Sequence, residues 1–196
     1  WDTFRAVHPL FTLIVPERVD GMIETLLAHH AQQGFLPIWT AWGRETYCMI
    51  GNHSIPVIVD AYRKGITGFD ANLAFEAMKS AVNRNQFGLD SYRKNGLVLA
   101  DDEHESVSKT LEYAYDDWCI AQMALIVNKQ EEYDYFMKRS QSWKNVFDCK
   151  TGFMRPKKNG GWDTPFDPRE INNNFTEGNS WQYSFFVPQD IPGMIE

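Results

Sequence analysis

The sequence predicts an all-α protein, part of an α/α toroid with long aromatic-rich loops. Apolar residues recur at spacings of three and four in several segments, which is typical of amphipathic helices. The helices come in consecutive pairs joined by short links, and no alternating strand pattern of convincing length is present. Long polar loops separate the pairs, and we expect these loops to gather at one end and form the site. Short β pieces inside the loops are compatible with this class.

Helical spacing predicts three helices in the first half of the chain. The first covers about residues 17–31, and Gly34 lies just beyond its expected C-terminus. The second covers about residues 54–64. The third begins near Asp70, whose short acidic side chain makes a good N-cap. The stretch 35–52, rich in Trp, Gly and charge, is predicted to be a loop.

Two further helices are predicted in the second half. The strongest apolar stripe covers residues 107–127, and a weaker one covers about residues 131–146. Residues 88–102 are predicted to be irregular. The last fifty residues are predicted to be mostly loop, with a helix that starts at about Asn179.

Composition and charge exclude several classes of protein. The chain has 196 residues and is 43% hydrophobic, enough for one domain or two small ones. It carries 26 acidic against 19 basic residues, so no basic stripe is available to neutralise phosphates and no nucleic-acid partner is expected. No run of 18 apolar residues is present, so we expect no membrane span. The spacing of Cys48, Cys119 and Cys149 fits no zinc motif; buried thiols are expected, and one bridge is left open.

Aromatic residues beside polar ones suggest a carbohydrate ligand. The run Glu177 to Tyr183 combines a carboxyl group that can move a proton, amides that can hold hydroxyls and rings that can stack on a sugar. Trp1-Asp2, and Trp39 and Trp42 near Arg44-Glu45, repeat this pairing. Two alternatives stay open at this point: the aromatic residues anchor loops onto a helical core, and the run at Glu177 is an ordinary helix start.

Stretches along the whole chain match one known family in order. They are Trp1 to Arg5, His8 to Leu10, Leu36 to Trp39, Cys48 to Ser54, Asp60 to Gly65, Ser106 to Ala114, Thr151 to Pro156, Glu177 to Tyr183 and Val187 to Asp190. Through these stretches the chain resembles glycoside hydrolase family 92, the calcium-dependent exo-acting α-mannosidases. The resemblance implies a β-sandwich followed by an (α/α)6 barrel, of which residues 1–196 correspond to the middle of the barrel. We therefore expect an incomplete catalytic-domain fragment that lacks the sandwich and the C-terminal barrel segments.

The resemblance also implies roles for individual residues. Glu177 would be the catalytic proton donor, and Phe175 and Trp181 are expected to shield it from water. The resemblance places Trp1 and Asp2 in the part of the family's pocket that holds the terminal sugar. The other expected substrate-binding residues lie in polar, aromatic stretches: Arg44, Glu45, Asn52, His53, Trp181 and Gln182. No metal ligand is assigned within the chain. The acidic run 101–105 is read as a helix start, because it lacks the shaped loop that calcium requires.

The implied function is that of an inverting, calcium-dependent α-mannosidase, α-1,2-type, that trims terminal mannose from glycans. The main Ca²⁺ ligands and the base would lie outside these residues, so the isolated fragment is expected to be inactive and to self-associate through exposed apolar surface. The parent protein would be periplasmic or secreted. Two alternatives remain: a non-catalytic carbohydrate-binding or scaffold remnant, and another α/α-toroid glycosidase or lyase. A base within this chain, such as Asp163 or Asp167, would favour the latter.

Overall fold

The computed structural model describes residues 1–196, and its architecture is helical. About 54% of the residues lie in α- or 3₁₀-helices, and no strand is longer than two residues, so the class is all-α. The α-helices are α1 (Val7–Ile14), α2 (Pro16–Gln33), α3 (Ser54–Arg63), α4 (Ala71–Val82), α5 (Leu89–Asn95), α6 (Ser106–Ile126), α7 (Gln130–Arg139), α8 (Ser180–Tyr183) and α9 (Ile191–Ile195). Two 3₁₀ segments cover Asp2–Arg5 and Ser140–Asn145.

The strands form three antiparallel hairpins inside the long loops. They are β1 (Thr40–Ala41) with β2 (Arg44–Glu45), β3 (Phe147–Asp148) with β4 (Phe153–Met154), and β5 (Lys157–Lys158) with β6 (Gly161–Trp162). The expectation of short β pieces in the loops is therefore confirmed.

The chain divides into two compact units. The first unit consists of residues 1–83 and 119–136, and the second consists of residues 84–118 and 137–196. Helix α6 contributes its first part to the second unit and its last part to the first.

In the first unit, α2 packs against both α3 and α4. The two predicted end signals are confirmed: Gly34 adopts a left-handed conformation (φ 86°) at the end of α2, and the Asp70 carboxylate accepts hydrogen bonds from the first turn of α4. The shared core consists of side chains with no exposed surface. It includes Ile23, Ile55, Ile58, Ala74, Phe75, Ala77 and Met78.

In the second unit, α6 and the loops that follow α7 share one core. The buried side chains are Leu97, Val107, Leu111, Ala114, Trp143, Val146, Met154, Phe175 and Val187. Met154 comes from strand β4, and Phe175 and Val187 come from irregular segments, so the C-terminal loops are anchored by burial of their own apolar residues.

Some elements differ from the prediction. Helices α1 and α5 were not expected: α5 lies in the stretch 88–102 predicted to be irregular. It is seven residues long and bounded by left-handed Gly88 and Gly96, so it has too few turns to show periodicity. The helix predicted over 131–146 ends earlier and continues as a 3₁₀ segment. The thiols are free, but only Cys119 is buried, so the prediction of buried thiols is wrong for the other two.

None of the helices combines the length and the apolar character that crossing a membrane requires.

Candidate functional site

Glu177 lies in the second unit, in the loop that leads into α8. It is exposed, between buried Thr176 and buried Gly178. Its φ of 50° places it in the left-handed region, which non-glycine residues rarely occupy and which is enriched at active sites. Nothing in the chain hydrogen-bonds or ion-pairs with its carboxyl group. The structure therefore presents a free carboxyl group on a strained backbone.

The segment after Glu177 is a capped helix start. The Asn179 side chain accepts a hydrogen bond from the Gln182 N–H at 3.2 Å, and the Gln182 side chain accepts one from the Asn179 N–H at 3.0 Å, which completes a capping box. Glu177 precedes the cap by two residues, so it is not an acid of the first turn. The side-chain oxygen of Gln182, a predicted sugar ligand, is engaged in this cap.

The expected shielding of Glu177 by two aromatic neighbours is wrong. Phe175 is buried in the core, and Trp181 is half exposed and packs edge-to-face on Phe153 with ring centroids 4.9 Å apart. Glu177 itself stays exposed because the ring of Phe175 faces inward, where it meets Tyr183. Trp181 keeps an exposed face that suits stacking on a sugar.

A first pocket, of about 270 Å³, lies in the first unit and brings together Trp1 and His53. The Trp1 indole N–H donates to the Ile50 carbonyl at 3.0 Å, which fixes the ring. His53 is buried and stacks on Phe4 with ring centroids 4.0 Å apart. Asn52, next in the chain, is also buried. The predicted ligand Asp2 instead forms an exposed ion pair with Arg5 at 2.9 Å.

The pocket has lining residues for which sequence reasoning gave no role. Among them are His8 and Thr40; Trp39, which the sequence placed in an aromatic–polar loop, also lines the pocket. Burial lowers the pKa of His8, which favours a neutral ring there. His8 begins one of the resembling stretches, but its neighbours in the sequence indicated no role in a pocket.

A second cleft of the first unit, of about 400 Å³, contains Arg44 and Glu45. The Glu45 carboxylate faces inward and accepts hydrogen bonds from four backbone N–H groups. The donors are Ile38 at 2.5 Å, Trp39 at 3.2 Å, Thr46 at 2.9 Å and Tyr47 at 3.1 Å. Glu45 is thus a loop-organising residue as well as a predicted sugar ligand.

The acidic run 101–105 before α6 is not arranged to hold a cation. Ca²⁺ takes six to eight oxygen ligands, whereas no group of three or more His, Cys, Asp or Glu side chains is arranged to hold a metal ion. Glu103 and Glu105, from the acidic run before α6, pair instead with His104 and the buried amine of Lys109.

Asp167, named as an alternative base, is paired. Both of its carboxylate oxygens contact the Arg169 guanidinium at 3.0 Å, and the hydrogen bond from Arg169 lowers the pKa of Asp167. Unlike Glu177, it is engaged with a cation.

Comparison with known proteins shows that this helical chain is part of a glycoside hydrolase catalytic domain. The glycosyl hydrolase family 92 catalytic domain matches residues 1–196, and the chain belongs to that family.

Solved structures from Bacteroides thetaiotaomicron are similar to the chain. A family 92 α-mannosidase is 45% identical with a TM-score of 0.95, over 100% of this chain and 27% of that one. Its complex with mannoimidazole gives 42% identity, a TM-score of 0.95 and the same coverage. A family 92 inverting mannosidase is 39% identical with a TM-score of 0.94, over 99% of this chain and 27% of that one.

A fungal relative agrees with the family assignment. An uncharacterized secreted glycosidase of Arthroderma benhamiae is 27% identical over 87% of this chain and 27% of its own length. The chain thus spans about a quarter of the length of the relatives it matches.

Proposed function

We propose that residues 1–196 are the acid-bearing part of the catalytic domain of an inverting α-mannosidase that removes terminal mannose from glycans. The observation that carries the proposal is Glu177: a carboxyl group without a partner on a left-handed backbone, in a chain whose solved relatives are mannosidases. In this proposal the helices belong to an (α/α)6 barrel, and the complete protein is secreted or periplasmic, as the secreted relative suggests.

Glu177 would act as the general acid. Inversion requires two carboxyl groups about 6.5–9.5 Å apart, so that a water molecule fits between one of them and the sugar. One carboxylic acid protonates the leaving oxygen while the opposite carboxylate activates the water. Glu177 would fill the first role because its carboxyl group is not tied to another residue. The base would come from a segment outside these residues.

The first-unit pocket would bind a sugar ring of the glycan. Its size of about 270 Å³ and its Trp1, Trp39 and His53 walls suit one sugar ring, with an aromatic face for stacking and polar groups for hydroxyls. Asp2 stays a proposed sugar ligand on the basis of the resemblance, and Arg44 and Asn52 on the basis of their position in a polar, aromatic loop. The α-1,2 preference and the calcium dependence are proposed from the resemblance, with the Ca²⁺ ligands outside the chain.

The proposal is tested on the complete natural protein with mannobiose as substrate. Proton NMR during the first turnovers should show β-mannose before it mutarotates, and a chelator should abolish release until Ca²⁺ is restored. Release of α-mannose first would overturn inversion. No mannose release would overturn the activity, and chelator-resistant release would overturn the metal requirement.

The isolated chain should be inactive and prone to self-association. Leu13 and Ile14 of α1 are 73% and 60% exposed, and Ile195 of α9 is 76% exposed, so both ends present apolar side chains to water. Sedimentation velocity should show concentration-dependent association of the 196-residue chain. A monomer at high concentration, or mannose release by this chain alone, would contradict this part of the proposal.

A further inference from the structure

The position of Glu177 depends on its backbone. Its side chain makes no hydrogen bond, so the backbone conformation sets the direction in which the side chain leaves the chain. The left-handed conformation is disfavoured for a residue with a Cβ atom and persists only where the surroundings determine it. The restraints on the flanking peptide groups therefore influence the position of the Glu177 carboxyl group.

Thr176, immediately before Glu177, is held from both sides. Its N–H donates to the Oγ atom of Ser108 at 2.9 Å, and its carbonyl accepts from the hydroxyl of Tyr183 at 2.9 Å. That carbonyl is part of the Thr176–Glu177 peptide group, and φ of Glu177 is the rotation of the following chain relative to this group. The hydrogen bond from the Tyr183 hydroxyl therefore restrains the orientation of the peptide group that precedes Glu177.

Both hydroxyl groups belong to elements that are held in place. Ser108 is fully buried in the first turn of α6. The same turn also holds Asn174, in the loop before Glu177: the Val107 N–H donates to the Asn174 carbonyl at 3.2 Å, and the Ser106 hydroxyl donates to the Asn174 side-chain oxygen at 3.1 Å. Tyr183 belongs to the capped helix α8, and its ring lies against Phe175. The start of α6 and the end of α8 together hold the peptide before Glu177.

We propose that Ser108 and Tyr183 are positioning residues for Glu177, each acting through one hydrogen bond to Thr176. The inference deepens the proposed function and rests on it. Loss of either hydroxyl frees the peptide before Glu177 and lets the carboxyl group move away from the leaving oxygen. Displacement of a catalytic group by about 1 Å can lower the rate by roughly a hundredfold.

The test uses Ser108→Ala and Tyr183→Phe in the complete natural protein. Each has a matched control in the same unit. Ser140→Ala removes another buried serine hydroxyl, which donates to the Met137 carbonyl at 2.7 Å, and Tyr113→Phe removes another tyrosine hydroxyl, which donates to the Phe87 carbonyl at 2.7 Å.

Two substrates separate positioning from general damage. Mannobiose has a poor leaving group and needs protonation, whereas dinitrophenyl α-mannoside has an acidic leaving group and needs little. Ser108→Ala and Tyr183→Phe should lower kcat on mannobiose by about ten- to a hundredfold with KM nearly unchanged. Their kcat on the dinitrophenyl substrate should fall much less. The two controls should lower neither rate by more than their loss of thermal stability explains.

A double-mutant cycle with Glu177→Gln shows whether the effect passes through the acid. With Glu177→Gln already present, Tyr183→Phe should lower kcat on mannobiose no further. Full additivity, or equal losses on both substrates, would overturn the positioning role while leaving the acid role of Glu177 intact. If Glu177→Gln alone fails to discriminate between the substrates, the acid role itself is wrong and the inference fails with it.

Discussion

Glu45 and Glu177 both lie in polar, aromatic loops, but they differ in exposure and in the hydrogen bonding of their carboxyl groups. Glu45 is 6% exposed, and its carboxylate accepts hydrogen bonds from four backbone N–H groups. Glu177 is exposed, its carboxyl group has no partner, and its backbone is left-handed. The first carboxylate holds its loop together, while the loop around the second holds the residue and leaves its carboxyl group available.

The two carboxyl groups differ in hydrogen-bond engagement: the carboxylate with partners is structural, and the carboxyl group without partners is free for the proposed proton transfer. A carboxylate with its lone pairs already occupied cannot easily donate a proton to a substrate, because its conjugate acid would lose those bonds. Neighbouring residue types do not reveal this, since both glutamates have tryptophan, glycine and small polar residues nearby.

The largest expected effect comes from Glu177→Gln in the complete protein. Loss of acid assistance should lower kcat on mannobiose by about 10²–10⁴-fold. Stability should change by less than about 0.5 kcal/mol, since the residue is exposed and unpaired. Rate assays and urea unfolding measure both quantities. Glu170→Gln, an exposed glutamate of the same unit, is the control and should retain activity. A large loss of stability in Glu177→Gln would remove the contrast with Glu45.

Glu45→Gln should show the reverse pattern. An amide offers one oxygen and turns an NH₂ group toward backbone N–H donors, so the free energy of unfolding should fall by about 1–3 kcal/mol. The control is Glu24→Gln on the exposed side of α2. Denaturant titration of the complete protein measures the difference. Unchanged stability with a raised KM for mannobiose would instead show that Glu45 chiefly binds sugar.

Asp148 provides a second carboxylate that accepts hydrogen bonds, and it lies in the same unit as Glu177. Burial raises its pKa, but hydrogen bonds from the Lys150 N–H and from Arg155 at 3.0 Å outweigh burial and leave the pKa below its usual value. Because the folded pKa is lowered, this carboxylate stabilises the fold above the pKa of the unfolded chain, and the contribution is lost as pH falls through the folded value.

The measurement is the pH dependence of unfolding below about pH 4, the ordinary range of an aspartate. Asp148→Asn should lower stability at neutral pH by about 1–3 kcal/mol, since Arg155 loses its partner. The difference from the unsubstituted protein should narrow toward acidic pH. A constant difference at every pH would mean that Asp148 contributes by packing and not by charge.

The smallest effect is expected from Gly178→Ala. A Cβ atom there would lie 2.7 Å from the side-chain oxygen of Gln182, which would have to leave the Asn179 N–H. Loss of one half of the capping box should lower stability by about 0.5–2 kcal/mol. Gly161→Ala, where nothing lies within 4 Å of the added atom, is the control. Equal effects of the two substitutions would show that the cap does not restrain this loop.

Much of the helical fold follows from local signals. Helices α2, α3, α4 and α6 have long apolar stripes, and Gly34 and Asp70 mark ends that the structure confirms. Helices α1 and α5 escaped prediction for different reasons. Four large apolar residues of α1 are exposed, so this helix has no apolar face that is buried and distinct from the rest. Helix α5 is too short for a periodic signal.

The site was predictable in residue type and less so in arrangement. The run Glu177 to Tyr183 indicated a candidate proton donor, whose role stays a prediction, and a helix start at about Asn179, which the structure confirms. The sequence could not show that Phe175 turns inward or that Ser108, almost seventy positions away in the chain, hydrogen-bonds to Thr176. Such contacts depend on tertiary packing, and the sequence around a single serine does not indicate its hydrogen-bond partner.

The four N–H groups around Glu45 have a chemical consequence of their own. Successive backbone donors that converge on one point form a nest, the arrangement with which many proteins capture phosphate or sulfate. Here the Glu45 carboxylate occupies the nest, so the loop contains an anion site that is already filled by a side chain of the same loop. Glu45→Ala would empty it, and formate in the buffer, as a carboxylate of the right shape, should then restore part of the lost stability.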